Sequence, residues 1–153
     1  MNAPATPNNM PPQQNSHDGW TLLFISWLLA STATLGSLFL DKALGMEPCS
    51  LCWYQRVFMY PLAVILLLGL LPLDRRVARY ALPLAMMGWV LAAYHLLMYA
   101  GVIPEALQPC GSGPSCTEDD LGLFGFINIP MLSLLSISAI VALLLAFMKR
   151  TKQ

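Results

Sequence analysis

The chain has 153 residues, of which 57% are hydrophobic and only 10% are charged, with eight Lys and Arg balancing eight Asp and Glu. A soluble domain carries about 25% charged residues, so this composition indicates a membrane protein. The balanced charge argues against a nucleic-acid binder, and the apolar character argues against a small secreted disulfide scaffold.

The N-terminal segment, residues 1–19, is rich in Pro, Asn and Gln and contains no Lys or Arg. A cleavable signal peptide begins with positive charge, so this segment is predicted to be a disordered cytoplasmic tail. At the other end, residues 149–153 are predicted to form a basic cytoplasmic tail. Between the two tails, residues 20–148 are expected to form a single membrane domain.

Four apolar runs of about the length that a helix needs to cross a bilayer make up this domain. They occupy about residues 20–40, 57–73, 80–103 and 129–148. A buried core helix is the alternative interpretation of each run, but four such runs leave no chain to surround a core. The sequence therefore predicts an all-α integral membrane protein, a bundle of four transmembrane helices.

The charges between the runs predict the orientation of the bundle. Six of the eight Lys and Arg lie either between the second and third runs or after the fourth, namely Arg75, Arg76, Arg79, Lys149, Arg150 and Lys152. Cytoplasmic connections carry an excess of such residues. Both termini are therefore predicted to be cytoplasmic, and the two connections that contain cysteines are predicted to face outward. The expected location is a bacterial cytoplasmic (inner) membrane.

The four cysteines form two closely spaced pairs, Cys49 with Cys52 and Cys110 with Cys116. The outer side of a bacterial cytoplasmic membrane is oxidising, and short loops close at a small entropic cost, so local disulfides are favoured. One alternative is that the disulfides only tie down the outer loops. Another is a zinc site with four cysteine ligands, but zinc needs reduced thiolates, so no metal is expected.

The setting of the first pair favours a redox role over a structural one. Cys49 and Cys52 form a C-x-x-C motif, in which proteins commonly tune the acidity of the thiols, and it lies where the second run begins. A helix N-terminus there offers partial positive charge to a thiolate. Arg56 follows Cys52 by four residues, on the same face of a helix. Its cation either stabilises that thiolate or a bound electron acceptor, or simply extends toward lipid headgroups.

The second pair lies in a segment that is unlike regular structure. Gly111, Gly113 and Pro114 separate Cys110 from Cys116, and such residues interrupt helices and strands. A disulfide in such a segment above the membrane is accessible to a thiol of another protein. Thiol–disulfide exchange between the two pairs then requires only that they meet.

These features together resemble a known family. Residues 47–56 read E-P-C-S-L-C-W-Y-Q-R, and residues 124–130, which enter the last run, read F-G-F-I-N-I-P. With an outer cysteine pair between them, roughly residues 20–148 are similar to the disulfide bond formation protein B (DsbB) family. Its short-loop members, including those called BdbC in Gram-positive bacteria, are most similar here, because only five residues separate the second pair of cysteines.

The resemblance implies a quinone-dependent protein-disulfide oxidoreductase that reoxidises a DsbA-like thioredoxin-fold protein and thereby supports disulfide formation in exported proteins. It implies a membrane quinone, ubiquinone or menaquinone, as electron acceptor. Cys49 and Cys52 match the pair beside the quinone, and Cys52 matches the thiolate that contacts its ring. Arg56 matches the supporting cation. Cys110 matches the cysteine that the reduced partner attacks, and Cys116 the one that exchanges with Cys49.

Three further residues carry two interpretations each. His95 matches a histidine associated with quinone binding, but a histidine within a span also forms hydrogen bonds between helices. Trp53 and Tyr54 either line the quinone site or belong to the aromatic belt at the membrane interface.

Two other functions stay open. One is a quinone reductase of the vitamin K epoxide reductase type, although there the C-x-x-C motif lies in the last core helix. The other is a scaffold of four spans without enzymatic activity, in which both disulfides are structural.

Overall fold

Four helices make up the parts of the chain that the computed structural model describes, residues 14–45, 49–71, 74, 76–104 and 128–151. They are α1 (Gln14–Leu44), α2 (Ser50–Leu70), α3 (Val77–Tyr99) and α4 (Ile129–Thr151). Each contains a stretch that is long and apolar enough to cross a membrane. The prediction of an all-α protein with four such helices is confirmed, and the side on which the termini lie stays a prediction.

The helices begin and end a few residues away from the predicted runs. Helix α1 begins at Gln14, inside the predicted tail. Helix α2 begins at Ser50, within the C-x-x-C motif where its N-terminus was predicted, although the apolar run itself starts only at residue 57. The apolar run excluded Gln55 and Arg56 because they are polar. Both side chains are nevertheless buried against neighbouring helices, so the helix continues through them toward the cysteines.

The end of α3 is closed by Gly101, which has a φ of 72°. The N–H of Val102 donates to the carbonyl of Leu97, and the N–H of Gly101 donates to the carbonyl of Met98. These two bonds define the Schellman motif, which needs a left-handed residue and therefore favours glycine. Helix α3 consequently stops short of the predicted boundary at residue 103.

The helices form an antiparallel ring in which α1 packs on α2, α2 on α3, α3 on α4 and α4 on α1. The core between them is made of buried apolar side chains, among them Leu23, Ala30, Leu62, Leu66, Ala85, Ile140, Leu144 and Phe147. Many apolar side chains face outward, including Leu35, Leu68, Tyr80, Val90 and Leu135. A surface of this kind is suited to lipid. At one end of the ring, the C-terminal turns of α1 and α3 meet the N-terminal turns of α2 and α4.

Helices α2 and α3 approach closely near their connection, at Gly69. A Cβ atom at Gly69 would lie closer than 3.0 Å to Cβ, Cγ1 and Cγ2 of Val77.

We therefore expect Gly69→Ala to destabilise the bundle by about 1–3 kcal/mol through overpacking, measured as thermal unfolding in detergent. Gly88→Ala is the matched control. A Cβ there would meet its nearest neighbours, Ile137 and Phe58, at 3.7 and 3.8 Å, so we expect no loss of stability. Equal unfolding temperatures for the two variants would contradict this account.

Candidate functional site

The C-x-x-C motif forms the first turn of α2. Cys49 is the N-cap residue, and its carbonyl accepts the first helical hydrogen bond, from the N–H of Trp53 at 3.1 Å. The Sγ atoms of Cys49 and Cys52 lie 3.4 Å apart. Cys49 is fully buried, whereas Cys52 is half-buried. Of the two sulfurs, Cys52 is therefore the more accessible from the surface of the bundle.

His95, on α3, contacts the buried cysteine. Its Nε2 atom lies 3.8 Å from Sγ of Cys49, and its Nδ1 atom lies 3.3 Å from Nε2 of Gln55. The hydroxyl of Ser133, on α4, donates to Oε1 of Gln55. His95 therefore forms the interhelical hydrogen bond that its position in a span suggested, and it also lies beside the cysteine pair. Its association with a quinone stays a prediction.

Arg56 is held by the C-terminal part of α1. Its Nε donates to Oγ of Ser37 at 2.8 Å, its Nη1 to Oδ2 of Asp41 at 2.9 Å, and its Nη2 to the carbonyl of Ser37 at 2.9 Å. The residue is only 7% exposed, so its side chain packs within the bundle and does not extend from its surface. Within the described parts of the chain, these bonds use three of the five N–H donors of the guanidinium.

The aromatic residues after Cys52 lie on the outer surface of the bundle. Trp53 is 53% exposed and Tyr54 is 41% exposed. The Trp53 ring also lies 5.7 Å from Cζ of Arg56, within the range of a cation–π contact. This placement suits an interfacial belt, and both rings follow Cys52 directly on the same helix.

One group of side chains among the described residues has the spacing of metal ligands. The sulfurs of Cys49 and Cys52 and a ring nitrogen of His95 all lie within 4.8 Å of one another. A redox dithiol with a neighbouring imidazole has the same spacing, so this proximity is no indication of a metal.

The predicted site residues divide into two groups. The structure brings Cys49, Cys52 and His95 together and places Arg56 one turn after Cys52 on the same helix. Cys110 and Cys116 lie outside the described residues, so their pairing and their roles stay predictions.

Four polar residues at this end of the bundle escaped the sequence analysis, namely Ser37, Asp41, Gln55 and Ser133. A signal existed for two of them, because Ser37 and Asp41 are four residues apart and so share a helix face at the end of the first run. Gln55 and Ser133 are separated by 78 positions, and nothing in the sequence indicates that they meet.

Comparison with known proteins identifies one family of disulfide formation proteins. The family described as "Disulfide bond formation protein DsbB" matches residues 19–148. A "Probable disulfide formation protein" of Metapseudomonas resinovorans is 46% identical over 133 residues, which cover 86% of this chain and 92% of the relative. The "Disulfide bond formation protein C" of Bacillus subtilis (strain 168) is 40% identical over 119 residues, 78% of this chain and 86% of the relative. No solved structure matches the chain.

Proposed function

This chain belongs to the DsbB family of disulfide bond formation proteins, and from that premise we propose that it reoxidises a DsbA-like thioredoxin-fold protein and passes the electrons to a membrane quinone. Family membership supports a membrane protein of disulfide formation that acts as a disulfide oxidoreductase. The thioredoxin-fold partner and the quinone are the parts that we add.

The observation that carries the proposal is the placement of the dithiol. The two sulfurs lie 3.4 Å apart in the first turn of α2, one fully buried against His95 and the other half-buried. A disulfide that served only to tie down a loop would need neither a buried imidazole nor a second sulfur in a half-buried residue. The arrangement suits a pair that alternates between dithiol and disulfide.

Electrons enter through the second pair of cysteines. A thiolate of the reduced partner attacks the sulfur of Cys110, the Cys110–Cys116 bond breaks, and Cys116 leaves as a thiolate. Cys116 then attacks the sulfur of Cys49, the Cys49–Cys52 bond breaks, and Cys52 leaves as a thiolate.

Two further exchanges complete the transfer. The second thiolate of the partner attacks the mixed disulfide, which releases the partner in its oxidised form and frees Cys110. Cys110 attacks Cys116, which restores the outer disulfide and releases Cys49 as a thiolate. The partner has lost two electrons, and the pair formed by Cys49 and Cys52 has gained them.

The residues around Cys52 fit an apolar electron acceptor. Cys52 is half-buried, and the apolar side chains of Trp53, Tyr54 and Val57 on the same helix are all exposed on the outer surface of the bundle. A bound quinone supplies the oxidising capacity, because it takes up two electrons and two protons when it becomes a quinol. We propose that Arg56 holds the acceptor through the N–H donors that Ser37 and Asp41 do not use, with His95 nearby.

The proposal includes an orientation. We place both termini in the cytoplasm, the protein in the bacterial inner membrane, and the end of the bundle that carries Cys49 on the outer side. The charges support this placement, because Arg76, Arg79, Lys149 and Arg150 lie on the helix ends opposite the cysteines.

A trapping experiment tests the entry step. A DsbA-like protein whose second active-site cysteine is replaced by alanine can attack a disulfide but cannot complete the exchange. With the oxidised chain we expect a mixed disulfide between the partner and Cys110, a disulfide between Cys116 and Cys49, and a released thiol at Cys52, identified by peptide mass spectrometry. The Cys110→Ser chain is the control and should form no adduct at this segment. A mixed disulfide between the partner and Cys49 or Cys52 in the unaltered chain would contradict the proposed order.

A further inference from the structure

A line of hydrogen bonds leads from α4 to the buried cysteine. Ser133 Oγ donates to Oε1 of Gln55, and Nε2 of Gln55 lies 3.3 Å from Nδ1 of His95. On the other side of the ring, Nε2 of His95 lies 3.8 Å from Sγ of Cys49. All four residues lie at the same end of the bundle, and they come from three different helices, α2, α3 and α4.

With the Gln55 amide oriented in this way, the chemistry of these groups points to one position for the ring proton. The side-chain nitrogen of glutamine only donates, so Nδ1 of His95 is the acceptor in its contact with Gln55. A neutral imidazole has one acceptor and one donor nitrogen, so the proton lies on Nε2 and faces Cys49. The Ser133 hydroxyl donates to Oε1 of Gln55, and in this arrangement the amide nitrogen faces the ring.

We propose that Gln55 and Ser133 are positioning residues that fix His95 in the Nε2–H tautomer, and that this ring donates a hydrogen bond to the sulfur of Cys49. The inference rests on the proposed redox function of the cysteine pair and adds how its buried sulfur is stabilised. No covalent bond forms or breaks in this interaction.

Burial makes a hydrogen-bond donor at this sulfur important. Cys49 is 0% exposed and His95 is 1% exposed. A thiolate in an apolar interior is costly unless it accepts a hydrogen bond. The exchange that restores the outer disulfide releases Cys49 in that form, and thiol–disulfide exchange is faster when the leaving thiolate is stabilised. The Nε2–H group therefore lowers the cost of the step that finishes the relay.

The tautomer can be read directly by NMR, because the chain has only two histidines, His17 and His95. In a His17→Gln chain labelled with ¹⁵N-histidine, long-range ¹H–¹⁵N spectra report one imidazole. We expect a protonated nitrogen at Nε2 and an unprotonated one at Nδ1. A proton on Nδ1 would overturn the inference, and this measurement on an otherwise unaltered site needs no variant of the hydrogen-bonded line.

Variants of the line test the roles of Gln55 and Ser133. Gln55→Glu replaces the donor with a carboxylate acceptor, so the proton should move to Nδ1. Ser133→Ala should give a mixture of tautomers, and Ser133→Thr, which keeps the hydroxyl, should restore the Nε2–H form. Ser136→Ala is the matched control, because that hydroxyl bonds to the carbonyl of Leu132 on its own helix. An unchanged ring spectrum in Gln55→Glu would overturn the inference.

A second readout is the redox equilibrium of the pair. With Cys110 and Cys116 replaced by serine, the equilibrium of the Cys49–Cys52 disulfide with glutathione is measured alone. A hydrogen bond to a thiolate favours the reduced form, so Gln55→Glu should shift this equilibrium toward the disulfide by about tenfold. An unchanged equilibrium would contradict a donor role for the ring. Neither readout uses a quinone or a partner. The proposed electron transfer can therefore be contradicted while this inference stands, and this inference can be contradicted while the electron transfer stands.

Discussion

We expect Cys52→Ser to lower the rate at which the chain oxidises its thioredoxin-fold partner by at least about three orders of magnitude. Losses of this size are typical when one of several residues that act as a unit in catalysis is removed. Serine cannot form a disulfide, so this chain has no Cys49–Cys52 bond to accept electrons from the outer pair. The measurement is the rate at which the reduced partner is oxidised by the purified chain with a water-soluble quinone.

The matched variant is Cys49→Ser, which should abolish the same activity but leave a different product. With Cys52→Ser, the thiolate of Cys49 can attack Cys116 in the outer disulfide and release Cys110 as a thiolate, so a disulfide between the two outer connections should accumulate. With Cys49→Ser that product should be missing. Accumulation of the same linked peptide in both variants would show that Cys116 does not exchange with Cys49.

Replacement of Arg56 by glutamine is expected to raise the KM for quinone by about 10- to 100-fold, because a hydrogen bond from a charged donor contributes about 1.5–3 kcal/mol. We expect kcat to change less than KM. Arg56→Lys keeps the charge but cannot reproduce the bonds of the guanidinium to Ser37 and Asp41. Its KM for quinone should therefore lie between those of the unaltered chain and Arg56→Gln. Steady-state kinetics over a range of quinone concentrations provide the measurement.

Asp41→Asn separates a role in binding from a role in stability. It leaves the buried Arg56 without its carboxylate, which should cost about 3–5 kcal/mol of folding stability, while the guanidinium itself stays in the site. Lys42→Gln is the control, because Lys42 is 82% exposed and lies 4.0 Å from the same carboxylate. If Arg56→Gln lowers thermal stability but leaves the KM for quinone unchanged, Arg56 has only a structural role.

The sequence predicted the architecture because hydropathy is a property of long segments. The four apolar runs predicted the four helices. The ends of the runs differ from the ends of the helices where polar residues continue a helix. Gln55 and Arg56 interrupt the apolar pattern, but their side chains bond to other helices, so α2 begins at Ser50. Hydropathy scores a polar residue by its type and cannot register a partner that only the fold provides.

The candidate site was predicted only in part for the same reason. The C-x-x-C motif and Arg56 are close in sequence, and their spacing alone places them on the first turns of one helix. The environment of His95 depends on Gln55 and Ser133, which come from two other helices. That the cation beside Cys52 is bound by α1 likewise follows only from the packing of the helices around the ring.

The central claim is that the dithiol at the start of α2 delivers its electrons to a membrane quinone. The most direct measurement is the number of quinone molecules reduced per disulfide formed in the partner, with the purified chain in detergent under anaerobic conditions. The account predicts one quinol for each partner disulfide, and neither product when Cys52 is replaced by serine. Oxidation of the partner without consumption of quinone, or with equal yield in the Cys52→Ser chain, would contradict it.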